Sequence, residues 1–140
     1  MKILLAVDGS PYTKKMLAYL VTHDDTFSTA NDYTMFTAVA PLPTRARAAL
    51  GKEIADNFHT EEAERTLAPV AKFLLRHGID AKSSWKVGPA GEAIAKFAAA
   101  GKYDLLLMGS HGHGALGNLV MGSVATQVLA NCRVPVLLVR

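Results

Sequence analysis

The stretch Gly109–Ser123, GSHGHGALGNLVMGS, packs five glycines, two histidines and two serines into fifteen residues, directly after the apolar run Asp104–Met108. A phosphate chain needs close backbone approach, positive φ at some positions and N–H groups turned toward the anion. Glycine supplies all three, because no Cβ blocks the approach. Gly109 and Gly112 are therefore read as a cradle, with Gly114 and Gly117 letting the loop fold around it. Gly122 and Ser123 add a second glycine and a hydroxyl donor, and a helix at Ser123 would aim its free N–H groups and positive dipole end at an anion. Glycines after a strand also serve tight turns, and spacing alone leaves both readings standing.

A second polar turn, Asp8-Gly9-Ser10, follows the apolar opening Lys2–Val7. A carboxylate at Asp8 repels phosphate unless it serves hydroxyls of the ligand or holds a divalent cation; its alternative role is a turn residue before the first helix. His111 and His113 lie in the glycine loop. The reference pKa of histidine is within physiological reach, so protonation would strengthen phosphate binding, and affinity for a phosphate-bearing ligand is expected to rise as pH falls from about 8 to 6. Solvated loop histidines without ligand contact are the alternative, above all for His113. A His-x-His metal site lacks a nearby cysteine or carboxylate to complete it. His23, His59 and His77 read as surface residues.

Ser10, Ser110 and Ser123 lack the G-x-S-x-G elbow of a nucleophile and read as caps or phosphate contacts. Cys132 has neither a CxxC partner nor an adjacent base and reads as a partly buried thiol. Trp85 reads as packing, and Glu92 suits a helix N-terminus. The absence of GxxxxGK[ST] removes the P-loop lysine and its Mg²⁺-binding hydroxyl as a unit, so slow or no hydrolysis is expected.

The elements that must position these residues alternate along the chain. Lys2–Val7 is a short continuous apolar strand, as in a parallel sheet covered on both faces. Ser10 is placed to cap a helix with Pro11 at its first position and Tyr12, Met16, Leu17 and Leu20 on one face, running to about residue 22. Tyr33–Ala40 makes the second strand. Residues 41–60, with two prolines and Gly51, read as a loop or a loosely held helix. Thr60–His77 is a helix with Ala63, Leu67, Val70, Ala71, Leu74 and Leu75 on one face, stopped by Gly78 and kinked or restarted at Pro69. Ile79–Val87 is the third strand. A helix carrying Ala93, Ile94, Phe97 and Ala98 closes at Gly101, Asp104–Met108 is the fourth strand, and a helix over roughly Leu116–Asn131 leads to the last strand, Val134–Val139. Five strands alternating with four helices make an α/β domain with an open parallel sheet and helices on both faces. In such sheets ligands sit outside the strands' carboxyl ends where the strand order reverses, so the Asp8 turn and the glycine loop are expected to share one crevice.

The 140 residues fit one domain over 1–140, with 50% apolar and 19% charged residues. The net charge of +3 is spread without a basic block or interleaved aromatics, which argues against a nucleic-acid partner. Asp8 interrupts the first apolar run before it reaches signal or membrane-spanning length, so no membrane association is expected. A single cysteine suits a reducing compartment, and a cytoplasmic location is expected.

The segment Met108–Ser123 resembles the signature G-x2-G-x9-G-(S/T) of nucleotide-binding universal stress proteins, with Gly109, Gly112, Gly122 and Ser123 filling it without insertion. The likeness extends to ILLAVDGSP at Ile3–Pro11, VGPAGEAIAKFA at Val87–Ala98, YDLLLMGSHG, and the closing VPVLLVR; residues 41–60 have no recognisable match. The resemblance implies a Rossmann-like fold of the adenine nucleotide alpha hydrolase type, strand order 3-2-1-4-5. It also implies ATP as ligand, with Mg²⁺ or Mn²⁺ accompanying the nucleotide and Asp8 as the candidate contact to that ion. Adenine and ribose contacts would come from Ala6, Val7, Asp8 and Val39. Phosphate contacts would come from Gly109, Gly112, Gly122, Ser123 and Val124, with Met108 and His111 completing the site. Where relatives often carry arginine in this loop, this chain has His111 and His113. The resemblance implies a nucleotide-dependent stress sensor or regulator; a non-nucleotide dimeric interaction module and a slow ATPase are the alternatives. The closing strand, read without a tail to cover its edge, together with the dimers of relatives, implies a homodimer through Val134–Val139.

Overall fold

The computed structural model describes residues 1–114 and 118–140, so the expected loop residue Gly117 and the expected helix start at Leu116 lie outside the described residues. Along the chain run β1 (Lys2–Ala6), α1 (Pro11–Thr22), β2 (Asp32–Val39), α2 (Thr44–Leu50), α3 (Lys52–Arg76), β3 (Lys82–Val87), α4 (Ala90–Gly101), β4 (Leu105–Gly109), α5 (Ser123–Asn131) and β5 (Val136–Val139). The strands form one sheet in the order β3-β2-β1-β4-β5, every pairing parallel, with Leu5 of β1 opposite both Met35 and Leu107.

Side chains alternate across a strand, so a sheet covered on both faces needs apolar residues at every position of its central strands. Ile3, Leu5 and Val7 pack with Met16, Leu17 and Leu20 of α1 and with Leu67, Val70 and Leu74 of α3. Leu4 and Ala6 face the other way, onto Ile94 and Ala98 of α4 and Ala125 and Val128 of α5. Burial of each such Leu or Ile contributes about 1.5–3 kcal/mol. β3 is an edge strand and exposes Lys82, Ser83, Lys86 and Val87, which is why its alternation was weak in the sequence.

α1 begins as read: the Ser10 hydroxyl accepts the Thr13 N–H and Pro11 occupies the first turn. Several expectations are corrected. The described helices are five, not four, because residues 41–60 hold α2 and the first turns of α3. α2 buries no residue, so it left no apolar period to read, and Gly51 separates it from α3 at φ +84°, a conformation that favours glycine. Pro69 does not restart α3; it and Arg65, whose carbonyl it leaves without an intrahelical partner, both lie on the exposed side, open to solvent. Leu75 points outward, 58% exposed. The left-handed residue after α4 is Lys102 (φ 53°), not Gly101, whose missing Cβ admits the Tyr103 ring. The last helix starts at Ser123, with Gly122 as its extended N-cap. β3 and β5 begin later than expected, at Lys82 and Val136.

Candidate functional site

The strand order reverses at β1, which has β2 on one side and β4 on the other, and a crevice opens at the carboxyl ends of these strands. Ala6, Val7 and Asp8 line it from the end of β1. Met108, Gly109, His111 and Gly112 line it from β4 and the loop beyond, and Gly122 and Val124 from the start of α5. The Asp8 turn and the glycine loop are thus brought together. Two expected residues are not in the wall. Val39 buries its side chain in the α1–α3 core and its carbonyl accepts the Gly88 N–H at 2.9 Å, while Ser123 opens α5 as an exposed residue.

Thr13, Thr37, Ala38, Ala90, Ile94 and Ala125 also line the crevice, and sequence reasoning missed them. Thr37 carried a readable signal, a polar residue near the carboxyl end of an otherwise apolar strand. Ala90, Ile94 and Ala125 are brought in only by the packing of α4 and α5 over the sheet. The space enclosed is narrow, about 60 Å³, against the ~300 Å³ at which pockets for drug-sized ligands begin.

Asp8 does what a turn residue does. Its Oδ1 accepts the Ser10 N–H and the Thr13 hydroxyl, both at 2.9 Å, and its own N–H donates to Thr13 Oγ1 at 3.1 Å. Its Oδ2 faces Gly112, where an added Cβ would stand 3.0 Å away. The glycines of the loop earn their place by close approach more than by φ. Gly109 admits Tyr12 of α1, since a Cβ there would lie 2.6 Å from the Tyr12 Cβ. At Gly122 it would lie 3.1 Å from the His111 Cα, where the Gly122 N–H donates to the Ser110 carbonyl at 2.8 Å. Left-handed φ occurs instead at Gly9 (+75°) and Gly114 (+70°).

Both loop histidines have protein partners. His111 Nε2 lies 2.9 Å from the Leu119 carbonyl, which can only accept, so that nitrogen donates, and Nδ1 lies 2.8 Å from Ser110 Oγ. The ring sits against Tyr12, with centroids 4.8 Å apart, and Lys15 lies over the Tyr12 ring. His113 Nε2 donates to the Asp8 carbonyl at 2.7 Å, tying the glycine loop to the first polar turn. His59, expected at the surface, is 5% exposed and its Nε2 accepts the Leu42 N–H at 3.2 Å, holding the end of the segment after β2 against α3. Its place at the i−4 position from Ala63, on the buried face of α3, was the available signal. Cys132 is partly buried, and Trp85 packs against the α1–α3 core. Glu92 lies in the first turn of α4 and receives a hydrogen bond from Lys96 at 2.7 Å; that bond, with the charge behind it, holds its carboxyl below the usual range. No helix among the described residues is long and apolar enough to cross a membrane.

The profile of the universal stress protein family matches residues 1–140. A universal stress protein of Synechocystis sp. is 33% identical over 139 residues, 99% of this chain, although the chain spans only 42% of that relative's length. A universal stress protein of Thermus aquaticus is 32% identical over 139 residues and is matched over 97% of its length. Among solved structures, a universal stress protein of Methanocaldococcus jannaschii superposes with a TM-score of 0.79 at 28% identity, covering 99% of this chain and 94% of that one. More distant universal stress proteins with the same fold were solved with cAMP (TM-score 0.69, 20% identity, 100% and 97% covered) and, from Archaeoglobus fulgidus, with dAMP (0.71, 19%, 100% and 98%).

Proposed function

The chain belongs to the universal stress protein family, and on that premise we propose that it binds an adenine nucleotide, ATP among them, in the crevice between the Asp8 turn and the glycine loop. The bound nucleotide would set conformation or partner choice during stress, in the cytoplasm, with slow or no hydrolysis. The observation that carries this reading is the meeting of Asp8 and Gly112 at the strand-order reversal, where the glycine loop and the start of α5 border one cleft. Relatives with this fold that were solved with cAMP and dAMP support an adenine nucleotide as the ligand class.

A nucleotide-borne Mg²⁺ or Mn²⁺ would find Asp8 Oδ2, the oxygen left after Oδ1 serves Ser10 and Thr13. Among the described residues no three His, Cys, Asp or Glu side chains gather into a cage, which suits an ion carried by phosphates. Such an ion would neutralise phosphate charge. The open edge of β5, half-buried at Val136–Val139, supports pairing with a second copy as a homodimer.

The narrowness of the crevice favours one second reading, an interaction module that binds no nucleotide. Calorimetry with ATP, followed by assay of released phosphate and AMP, separates the cases. Binding without products is expected; no binding by any adenine nucleotide selects the module, and turnover selects an ATPase.

A further inference from the structure

The outer edge of β3 is open backbone. β3 pairs only with β2, and the Gly88 N–H that continues this ladder reaches the Val39 carbonyl at 2.9 Å. Successive residues of a strand point their peptide groups to opposite edges, so Ser84 and Lys86 share the direction of Gly88, while Ser83, Trp85 and Val87 turn theirs outward. Three outward N–H and C=O pairs over about 13 Å make a template for one more short strand. On one face the covering helix stops short of this edge. Phe97 of α4 stacks on Phe36 of β2 at 4.4 Å, which leaves a groove of about 400 Å³ beside β3. Half-buried Ala93 and Phe97, side-chain-free Gly88, and exposed Lys86, Glu92 and Lys96 line it. Both charged residues of β3 are cations, Lys82 and Lys86, and the register that sets Ser84 beside Phe36 places both on the groove's face of the sheet. Lys86 has no ion-pair partner among the described residues. Lys82 lies 3.4 Å from Asp32 and Lys96 lies 2.7 Å from Glu92, but such exposed pairs are worth little and exchange partners readily. Twofold pairing with a second copy is disfavoured. Centred on Ser84 it sets Lys82 opposite Lys86, and centred on Trp85 it makes the two Lys86 side chains diagonal neighbours, so like charges meet in either register.

We propose that the open edge of β3 and the groove beside it dock an extended acidic segment of a partner protein, taken up as a sixth strand of the sheet. The outward peptide groups of Ser83, Trp85 and Val87 supply the main-chain hydrogen bonds, and side chains alternating along the docked strand supply the selection. Carboxylates opposite Lys82 and Lys86 turn the repulsion that a second copy meets into attraction. An apolar side chain two residues further on stands beside Gly88 and enters the groove toward Phe97. The docking site stands whether or not the crevice holds a nucleotide.

The probe is the capped peptide Thr-Leu-Thr-Glu-Thr-Val-Thr-Glu-Thr, which laid antiparallel on β3 sets its leucine beside Gly88 and its glutamates beside Lys86 and Lys82. Trp85, the sole tryptophan of the chain, lies at the middle of the edge and reports occupancy by its fluorescence; amide hydrogen exchange reports the place. The expected result is a saturable fluorescence change with slowed exchange at Ser83, Trp85 and Val87. A twin with lysine for glutamate binds about tenfold or more weakly, because each exposed pair is worth up to a few-fold and both attractions become repulsions, and high salt narrows the gap. In Lys86→Glu, an exposed position, the two probes bind about equally. No response to the acidic probe at millimolar concentration overturns the proposal, as does a lysine twin that binds equally well to the wild type. So does undiminished binding by an acidic probe with proline at alternate threonines, which cannot complete the ladder. Protection of the same three amides that grows with protein concentration alone, without peptide, assigns the edge to a second copy and overturns the proposal too.

Discussion

Replacing Gly109 by alanine sets a Cβ 2.6 Å from the Tyr12 Cβ, 3.1 Å from the Tyr12 carbonyl carbon and 3.2 Å from its oxygen. Carbon atoms in contact settle near 3.5–4.0 Å, so the first turn of α1 or the end of β4 must move by about 1 Å. Neither has slack: α1 is pinned by its Ser10 cap and the Asp8 turn, and β4 is paired on both edges. Overpacking costs about 1–3 kcal/mol, and with backbone as the neighbour about 2–3 kcal/mol is expected. At roughly 3 °C per kcal/mol for a chain of this size, Tm falls by about 6–9 °C. Gly112→Ala is the contrast. Among the described residues its Cβ meets only Asp8 Oδ2, at 3.0 Å, and its φ is not left-handed, so the cost to folding stays below about 1 kcal/mol. The added methyl stands in the crevice, and nucleotide affinity should fall about tenfold or more, the effect of about 1.4 kcal/mol. Thermal unfolding and calorimetry with AMP and ATP, run on both variants, read the two effects separately. A Gly109→Ala protein that melts with the wild type refutes the close packing of α1 on β4. A folded Gly112→Ala protein with undiminished nucleotide binding refutes the placement of the ligand.

Tyr33 donates its hydroxyl to the Ser28 carbonyl at 2.9 Å and accepts from Asn31, and burial pushes its pKa above the usual value while the Asn31 bond pulls it back in part. A raised folded pKa means stability that is complete below the unfolded value near 10 and lost as pH rises through the folded one; urea titrations between about pH 8 and 11 should show that loss in the wild type and not in Tyr33→Phe. His59→Phe leaves the Leu42 N–H without its acceptor and should cost about 1–3 kcal/mol by urea unfolding, with faster amide exchange at Leu42; an unchanged exchange rate there refutes the role given to the imidazole. Light scattering on a sizing column at micromolar concentration should give twice the chain mass, and a monomer contradicts pairing through β5.

The fold was legible where burial is two-sided or punctuation is local. Lys2–Ala6 and Leu105–Met108 read as strands because a central parallel strand must be apolar throughout, and Ser10-Pro11 marked a helix start because capping is chemistry between near neighbours. Gly78 took the left-handed φ expected of a helix stop. Residues 41–60 read no further than a loop or a loosely held helix: α2 buries nothing, so its stretch carried no apolar period, and the start of α3 turns only Ala55 and His59 inward. The candidate site was legible at the chain level, through the Asp8 turn and the spacing of Gly109, Gly112 and Gly122.

The sequence by itself therefore determined which segments are apolar on both faces, where helices are capped, and that the glycine loop carries no cation, since each depends on residue type and short-range spacing. Only the tertiary structure decided that Gly109 and Gly122 are glycines because other backbone passes within about 3 Å, that Val39 turns into the opposite core, and that Thr37, Ala90 and Ala125 share a wall with Asp8. Those outcomes depend on how α1, α4 and α5 settle on the sheet, and contacts between residues far apart along the chain leave no periodic trace in it.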